Sequence, residues 1–493
     1  MKKKVRRYFR FLLVGFILAS PSEAFGNNNH HPNIIFILID DQRYDFLSCL
    51  DHPWIRTTHI DKLATNGIYF DNAFVTTSLC SPSRASVITG QYAHVHQVMD
   101  NDTPLPAGKP SFPVELQKAG YHTAFIGKWH MGGENDMPRP GFDHWISFKG
   151  QGSYMDPEIN VDGERIQRKG YMTDILTRYA VEFIRENSGK KEPYFLYLSH
   201  KAVHEDFTPA ERHRDVYRGL VVPRPSTFDQ HAESFRGKPQ WLIRQRNSWH
   251  GVERDFYSTG YGDFDNFFRM YSEAMLAVDE SVGRITGELE DLGELENTVI
   301  IYYSDNGYLM GEHGLIDKRV MYEESIRVPA FVHCPAIMKM PVHKKELILN
   351  IDIGPTILDL AGREAPEAMQ GESFLPLIKG EETNWRREFI YEYFCDPNAV
   401  QTPTIIGLRT VKYSYMTYEG IWDNYELYDI ENDPEQKNNL LGHIVYGQTY
   451  GTFLRKVREQ DKAVWPTVKE LDQRLNHLWM EQDGHGLPNK TKQ

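Results

Sequence analysis

Four apolar runs in this 493-residue chain end in residues able to do chemistry. The run 33–39 is followed by Asp40-Asp41. The run 123–126 leads through Gly127 to Lys128-Trp129-His130. The run 194–199 is followed by His200, Lys201 and His204, and the run 299–303 leads through Ser304 to Asp305-Asn306. Ligands of open α/β sheets bind beyond the carboxyl ends of the strands, so four such endings point to one site. Asp40, Asp41, Asp305 and Asn306 offer hard oxygen donors, which suit Ca²⁺ or Mg²⁺ better than Zn²⁺. One Asp pair after a strand, taken alone, more readily caps a helix than binds a metal; two pairs after two strands shift the balance toward metal. Cys80 opens a helical stretch, Cys80-Ser81-Pro82-Ser83-Arg84, that ends at Gly90. Pro82 sits in the first turn, where its missing N–H costs nothing. A cysteine at a helix N-terminus faces the positive end of the dipole, which favours anions and a reactive thiol; the alternative is a small buried core cysteine, and the fixed neighbours argue against it.

The elements that must position these residues read as strands alternating with helices. Residues 33–39 are continuously apolar and β-branched, as in a strand buried on both faces. Shorter runs recur at 123–126, 194–199, 299–303 and 329–333. Ile175, Leu176, Tyr179, Phe183 and Ile184 form one helical stripe. Met275, Val278, Val282, Ile285, Leu289 and Leu292 form another. The alternation predicts an open α/β sheet over about 25–375. Residues 205–265 are rich in Pro, Arg, His and Trp and read as a long loop insertion, of the kind that is often functional. After Trp385, short aromatic pieces at 388–394, 404–409, 413–417 and 425–428 predict a small antiparallel sheet, and a polar helical stretch follows at about 448–480; together these give a C-terminal subdomain over 376–493.

The chain carries 55 basic and 68 acidic residues, a net charge of −13. Six of the basic residues lie in the first 24, so the rest is more acidic still. An acidic body argues against broad nucleic-acid or anionic-membrane binding. Residues 1–24 have a basic start, an apolar stretch from Phe11 to Ala19, and Ser22-Glu23-Ala24. That is the pattern of a secretory signal peptide, too short to be a stable membrane span. We therefore expect an exported protein, periplasmic or secreted. An oxidising compartment permits disulfides, but with Cys80 otherwise engaged, Cys49, Cys334 and Cys395 are an odd number that cannot all pair.

Cys80-Ser81-Pro82-Ser83-Arg84 with Thr89-Gly90 resembles the C-x-P-S-R…T-G signature of the type I sulfatases, of the alkaline phosphatase superfamily. The resemblance runs nearly end to end. Asp40-Asp41 is similar to the family's first metal pair and Gly127-Lys128-Trp129-His130 to its G-K-W-H element. His204 falls where the family has Pro-His, with Val203 replacing the Pro. Ser304-Asp305-Asn306-Gly307 is similar to the second metal pair, and Gly311-Glu312-His313-Gly314 with Lys318 to the G-E-H-G…K element. Glu426-Leu427-Tyr428-Asp429, Asp433-Pro434 and Asn439-Leu440 resemble the family's C-terminal subdomain.

The resemblance implies a large mixed, mostly parallel sheet flanked by helices (alkaline phosphatase-like), with a smaller C-terminal antiparallel-sheet α+β subdomain. It implies that a maturation enzyme converts Cys80 to formylglycine (3-oxoalanine), whose hydrate attacks the sulfur of a sulfate ester and later expels sulfate. Asp40, Asp41, Asp305, Asn306 and the modified Cys80 are then the ligands of Ca²⁺, with Mg²⁺ as the alternative. Arg84 steadies the charged nucleophile, and Lys128 and Lys318 grip sulfate oxygens. His130 is the candidate base and His204 the candidate acid, in an order the sequence leaves open. His94, His96, His313 and Arg43 are weaker candidates for substrate contact, as are Asn101, Asp102 and the insertion; a structural histidine or a salt bridge is the plainer reading for the first group. Details around Ala93-His94-Val95-His96 and Asn101-Asp102 resemble glucosamine-6-sulfatase-like members, and the stretch 199–204 resembles exported enzymes acting on glycosaminoglycan, mucin, ulvan or carrageenan. The implied substrate is a sulfated glycan. A phosphoesterase or phosphonate monoester hydrolase on the same scaffold, and a non-catalytic sulfated-glycan binder, are the alternatives.

Overall fold

In the computed structural model, residues 31–228, 237–421, 423–444 and 450–484 are described. The expected signal segment, 1–24, lies outside them. The ten-stranded main sheet is built from β1 (Asn33–Ile39), β2 (Ile68–Phe74), β3 (His122–Gly127), β4 (His144–Ser147), β5 (Glu158–Val161), β6 (Glu164–Gln167), β7 (Tyr194–Ser199), β8 (Thr298–Ser304), β11 (Phe331–His333) and β12 (Val342–Leu349). A small hairpin pairs β9 (Leu309–Met310) with β10 (Ile316–Asp317). The order in the main sheet is β12-β2-β11-β8-β1-β7-β3-β4-β5-β6. β8, β1, β7, β3 and β4 are mutually parallel, as are β2 and β12. β11, β5 and β6 run antiparallel to their neighbours.

β1 shows why the centre is parallel. Ile34, Phe36 and Leu38 enter one apolar layer, and Ile35, Ile37 and Ile39 enter the other. A strand of period two buried on both faces needs helices on both sides. Met172–Asn187 and the long helix Phe264–Asp291 cover one face. That long helix begins well before Met275, inside the last residues assigned to the insertion. Its N-cap, Asp263, accepts a hydrogen bond from the Asn266 N–H at 2.7 Å, and Phe264, Phe267, Phe268 and Tyr271 bury its first turns. It ends at Asp291, one residue short of the stripe's Leu292, which is exposed. The 329–333 run reduces to the three residues of β11, and it is antiparallel. A second sheet, β13 (Glu388–Tyr393), β14 (Thr404–Thr410), β15 (Tyr413–Glu419) and β16 (Glu426–Asp429), is an antiparallel meander. The polar stretch beyond it forms two helices, Tyr450–Gln460 and Trp465–Glu481. All four cysteines are free thiols.

Candidate active site

The register of the central strands brings the four endings level. Ile39 pairs with Ser304, Leu38 with Ser199, and Gly127 with Ser199. Asp40 and Asp41, Asp305 and Asn306, Lys128, and Lys201 thus leave four neighbouring strands at the same edge. Gly127 is required there: it has φ +129° and a Cβ would lie 1.7 Å from the Ser199 carbonyl oxygen. That close approach lets the Lys128 N–H donate to Ser199 O at 2.9 Å. The β9–β10 hairpin aims Lys318 at the same place from the other side. Every residue of the helix Cys80–Thr89 is buried, with Gly90 left-handed at its end (φ 63°). Cys80 and Arg84 are four apart and share its inner face.

The side chains converge. Cys80 Sγ lies 3.5 Å from Asp40 Oδ1, 4.0 Å from Asp41 Oδ1 and 3.3 Å from Lys318 Nζ. Lys128 Nζ donates to Asp40 and Lys318 Nζ to Asp41. Arg84, 1% exposed, donates Nε to Asp305 Oδ2 at 2.9 Å and Nη1 to Ser199 Oγ at 2.6 Å and Lys128 O at 2.8 Å, with Nη2 3.5 Å from Asp40. The Asp41 N–H donates to Asp305 Oδ1 at 3.1 Å, and Asn306 Nδ2 to Asp41 Oδ1 at 2.6 Å.

The donor set fits a divalent cation. Ligand atoms of Asp40, Asp41 and Asp305 lie within 4.8 Å of one another. Asn306 Oδ1 is buried without a hydrogen-bond partner among the described residues, a state a buried amide oxygen rarely holds unless something else uses it. Burial, then repulsion from Asp40 and Asp305 against the pull of Lys318, raises the Asp41 carboxyl to about 7. Burial and Asp40 also raise Asp305. Burial opposes ionisation of Asp40 too, but Lys128 and Arg84 overcome it and hold its carboxyl well below the usual range. Two ammoniums stand in as counter-ions where a metal would satisfy all three carboxylates. Cys80 departs from the expectation of a reactive thiol: burial and the Asp40 charge push its pKa up, outweighing Lys128 and Lys318, so the helix N-terminus does not make a thiolate here.

Hydrogen bonds fix the imidazoles. The Ser81 hydroxyl donates to the His130 carbonyl at 2.5 Å, so His130 Nδ1, 3.2 Å away, is the donor to Ser81 Oγ. Nε2 then carries the lone pair. His204 Nδ1 donates to the Glu205 carbonyl, so its Nε2, 4.0 Å from Asp41 Oδ2, is also the free nitrogen. Burial, then Lys128, keeps both rings neutral by lowering their pKa values.

The weaker candidates stand elsewhere. His96 is fully buried with both ring nitrogens used, Nε2 on Ser86 Oγ (3.1 Å) and Nδ1 on the Val98 N–H (3.0 Å). His94 is clamped by Glu392 Oε2 (2.7 Å) and the Gln482 carbonyl (2.8 Å) and packs at a tilt against Trp479, ring centroids 4.5 Å apart. Arg43 is committed to Asp45 and, at 2.9 Å, to Glu312, forming a buried ion pair. His313 stacks on Tyr322 with Nδ1 3.4 Å from Lys238. In each case a local partner occupies the polar atoms that a substrate would need or packs the ring into the fold. His200 turns to Ser281 on the long helix. Asn101 caps the signature helix, its Oδ1 accepting from the Ser81 N–H at 3.0 Å, and Asp102 accepts from Asn398 at 2.8 Å. Supporting residues that the sequence left unmarked are Ser199 behind Arg84, Tyr271, whose hydroxyl donates to the Asp41 carbonyl at 2.8 Å, and Tyr154, which donates to the His204 carbonyl at 2.8 Å. Ser81 alone had a signal, its place inside the signature.

The chain matches the family described as Sulfatase over residues 32–363 and the N-sulphoglucosamine sulphohydrolase C-terminal family over residues 311–463. It is 33% identical to an N-acetylglucosamine-6-O-sulfatase of Bacteroides thetaiotaomicron, across 91% of this chain and 90% of that one. It is 33% identical to the N-acetylglucosamine-6-sulfatase of Homo sapiens, across 76% of this chain and 70% of that one. A solved structure of a protein in complex with its substrate D-glucosamine-2-N,6-O-disulfate superposes with a TM-score of 0.80 at 30% identity, covering 94% of this chain and 100% of that one. The phosphonate monoester hydrolase of Agrobacterium radiobacter shares the fold, with a TM-score of 0.72 at 20% identity over 92% of this chain and 96% of that one.

Proposed function

The chain belongs to the sulfatase family and is a sulfuric ester hydrolase, and from that premise we propose that it removes sulfate from a sulfated carbohydrate outside the cytoplasm, using Cys80 converted to formylglycine. The observation that carries this reading is the ring of hard oxygen donors and fixed cations around Cys80 Sγ, which stands where an oxygen of the hydrated aldehyde would sit. A plain thiol held protonated by burial is a poor nucleophile; an aldehyde hydrate at that place supplies one oxygen that attacks sulfur and a second hydroxyl whose loss of a proton re-forms the aldehyde and expels sulfate with the first oxygen.

Asp40, Asp41, Asp305, Asn306 and the converted Cys80 hold the metal, Ca²⁺ with Mg²⁺ as the alternative. When bound, it supplies Lewis acidity toward sulfate and lowers the proton affinity of the nucleophile. Arg84 locks Asp305 and the Lys128 carbonyl, so the donor set is preorganised. Lys128 and Lys318 grip sulfate oxygens and neutralise charge that develops on them. His130 Nε2 is the lone-pair site that takes a proton when sulfate is expelled; His204 Nε2, equally a lone-pair site in the neutral ring, first takes up a proton from solvent and then passes it to the departing sugar oxygen. Residues 25–375 are read as the catalytic domain and 376–493 as the C-terminal subdomain. Export rests on the 1–24 pattern; among the described residues no helix is long and apolar enough to cross a membrane. The curated relatives support a glucosamine 6-sulfate in the substrate.

The test is a matched panel. Calcium-loaded protein carrying formylglycine is given glucosamine 6-sulfate, an aryl sulfate, the matching aryl phosphate and a phosphonate monoester. The expected kcat/KM on sulfates exceeds that on the phosphorus esters by roughly 100-fold or more, the range in which differing transition-state contacts discriminate. Preference for the phosphate or phosphonate contradicts the reading, and binding of sulfates without turnover makes the protein a binder.

A further inference from the structure

Three cations at the strand ends are matched with carboxylates: Arg84 with Asp305 and Asp40, Lys128 with Asp40, Lys318 with Asp41. Lys201, which follows β7, is not. It is 2% exposed, yet among the described residues its ammonium makes no hydrogen bond and no ion pair; only its backbone carbonyl is engaged, accepting from the His204 N–H at 3.0 Å. Its Nζ stands 4.4 Å over the ring of Tyr154, and the Tyr154 hydroxyl donates to the carbonyl of His204. Lys201 is therefore held at the edge of the cluster, on the wall that carries His204. Burial and the neighbouring Lys128 charge bring its pKa down to about 8, against the weaker pull of Asp40, Asp206 and Asp41.

An ammonium buried without a counter-anion is costly, and an aromatic face replaces only part of its hydration. The scissile sulfate does not need it, since Lys128 and Lys318 already stand at Cys80. The charge balance also points outward. Three side-chain cations match three carboxylates, so a divalent metal leaves the site positive before Lys201 is counted. A single sulfate ester brings one negative charge, which leaves the cation of Lys201 unanswered.

We propose that Lys201 is a specificity-determining residue that binds a second anionic group of the substrate, a sulfate or a carboxylate borne close to the sulfate ester that lies at Cys80. The proposal rests on the sulfatase reading above for the identity of the first anion. It predicts that the preferred glycan is doubly anionic around the cleaved position.

The experiment measures binding, so that turnover is read separately. Calcium-loaded Cys80→Ser protein is titrated calorimetrically with glucosamine 6-sulfate, with glucosamine 2-N,6-O-disulfate, and with a uronic acid-containing disaccharide that carries one 6-sulfate. The titrations are repeated with Lys201→Met and with Lys201→Gln, each checked for an unchanged melting temperature, and with Lys201→Arg. The expected result is a loss of roughly 10-fold or more for a doubly anionic ligand, the size of a charge-assisted contact, with at most about 3-fold for the monosulfate and recovery by Lys201→Arg. Whichever doubly anionic ligand shows the loss identifies the second group as sulfate or carboxylate. An equal loss for all three ligands, no loss, or no binding with Lys201 present overturns the proposal. If the disulfate binds through Lys201 but the formylglycine-bearing enzyme releases no sulfate, the role of Lys201 stands and the sulfatase reading fails.

Discussion

Arg84 is the residue on which the site's geometry hangs. Its guanidinium reaches Asp305, Ser199 and the Lys128 carbonyl while 1% exposed. Arg84→Ala strands Asp305 among other carboxylates, and removing one partner of a buried ion pair typically costs about 3–5 kcal/mol. Chemical denaturation should show a loss of that order, and Arg84→Lys should recover little of it, since a point charge cannot fork across three acceptors. Lys318 behaves differently, because its partners are Asp41 and the nucleophile position. Lys318→Ala should lower kcat by roughly 10²–10³ with a smaller change in melting temperature; a KM effect with kcat intact would move Lys318 out of the reaction. That these residues meet at one place could be read from sequence because each sits in a short motif. What tied them together could not: Ser199, Tyr154 and Tyr271 are ordinary strand, loop and helix residues until the fold places their hydroxyls on Arg84 and on the carbonyls of His204 and Asp41. His94 and His96 sat close to the signature in sequence, and proximity along the chain misled; the helix turns them toward Glu392 and Ser86.

The element that gathers the site is the run of parallel strands β8-β1-β7-β3, whose interiors announced themselves as short apolar runs, β-branched in β1 and β8 and aromatic-rich in β7. β2 and β12 did not, because Asp71 and Asn72 interrupt the first and His343, Lys344, Lys345 and Glu346 the second. Strands toward the sheet edge tolerate such residues, so period-two and continuous-apolar signals both fail there. The insertion was visible as a loss of periodicity, although its end was misplaced by the aromatic opening of the long helix. The C-terminal sheet is joined to the signature region by His94, whose ring links Glu392 of β13 to the carbonyl of Gln482 beyond the last helix. Burial lowers the His94 pKa, but Glu392 more than offsets it and raises the value above 6.5. The stability from this pair is therefore full below pH 6.5 and is lost as pH rises through the elevated native value. His94→Gln should lower the melting temperature most at acidic pH, with the gap narrowing as pH rises; a gap independent of pH would show that packing against Trp479 is what matters.

At the scale of the whole molecule, the acidic body and the positive pocket work against each other. Substrate anions approach against the net charge, and the buried cation cluster, with a metal bound beside it, would reverse the sign locally. Metal removal should therefore do two things. A chelator should abolish sulfate release, and Ca²⁺ should restore it. Calcium at 100 times its dissociation constant should stabilise the fold by about 2.7 kcal/mol, seen as a rise in melting temperature; an unchanged melt would mean that the carboxylate cluster does not take the ion. Burial has a further consequence. Cys80 and the rest of its helix are buried in the folded chain, so the proposed conversion of Cys80 by a maturation enzyme would have to precede closure of the fold. Folded thiol-form protein incubated with that enzyme should stay unconverted.

The central claim is that sulfate ester hydrolysis here runs through a converted Cys80. Its most direct test is the mass of the proteolytic peptide containing Cys80, taken from protein whose sulfate release has been measured on the same sample. The account predicts an aldehyde in place of the thiol, in a fraction that tracks activity across preparations made with and without a maturation enzyme. Full activity in a preparation whose Cys80 is wholly thiol would contradict it.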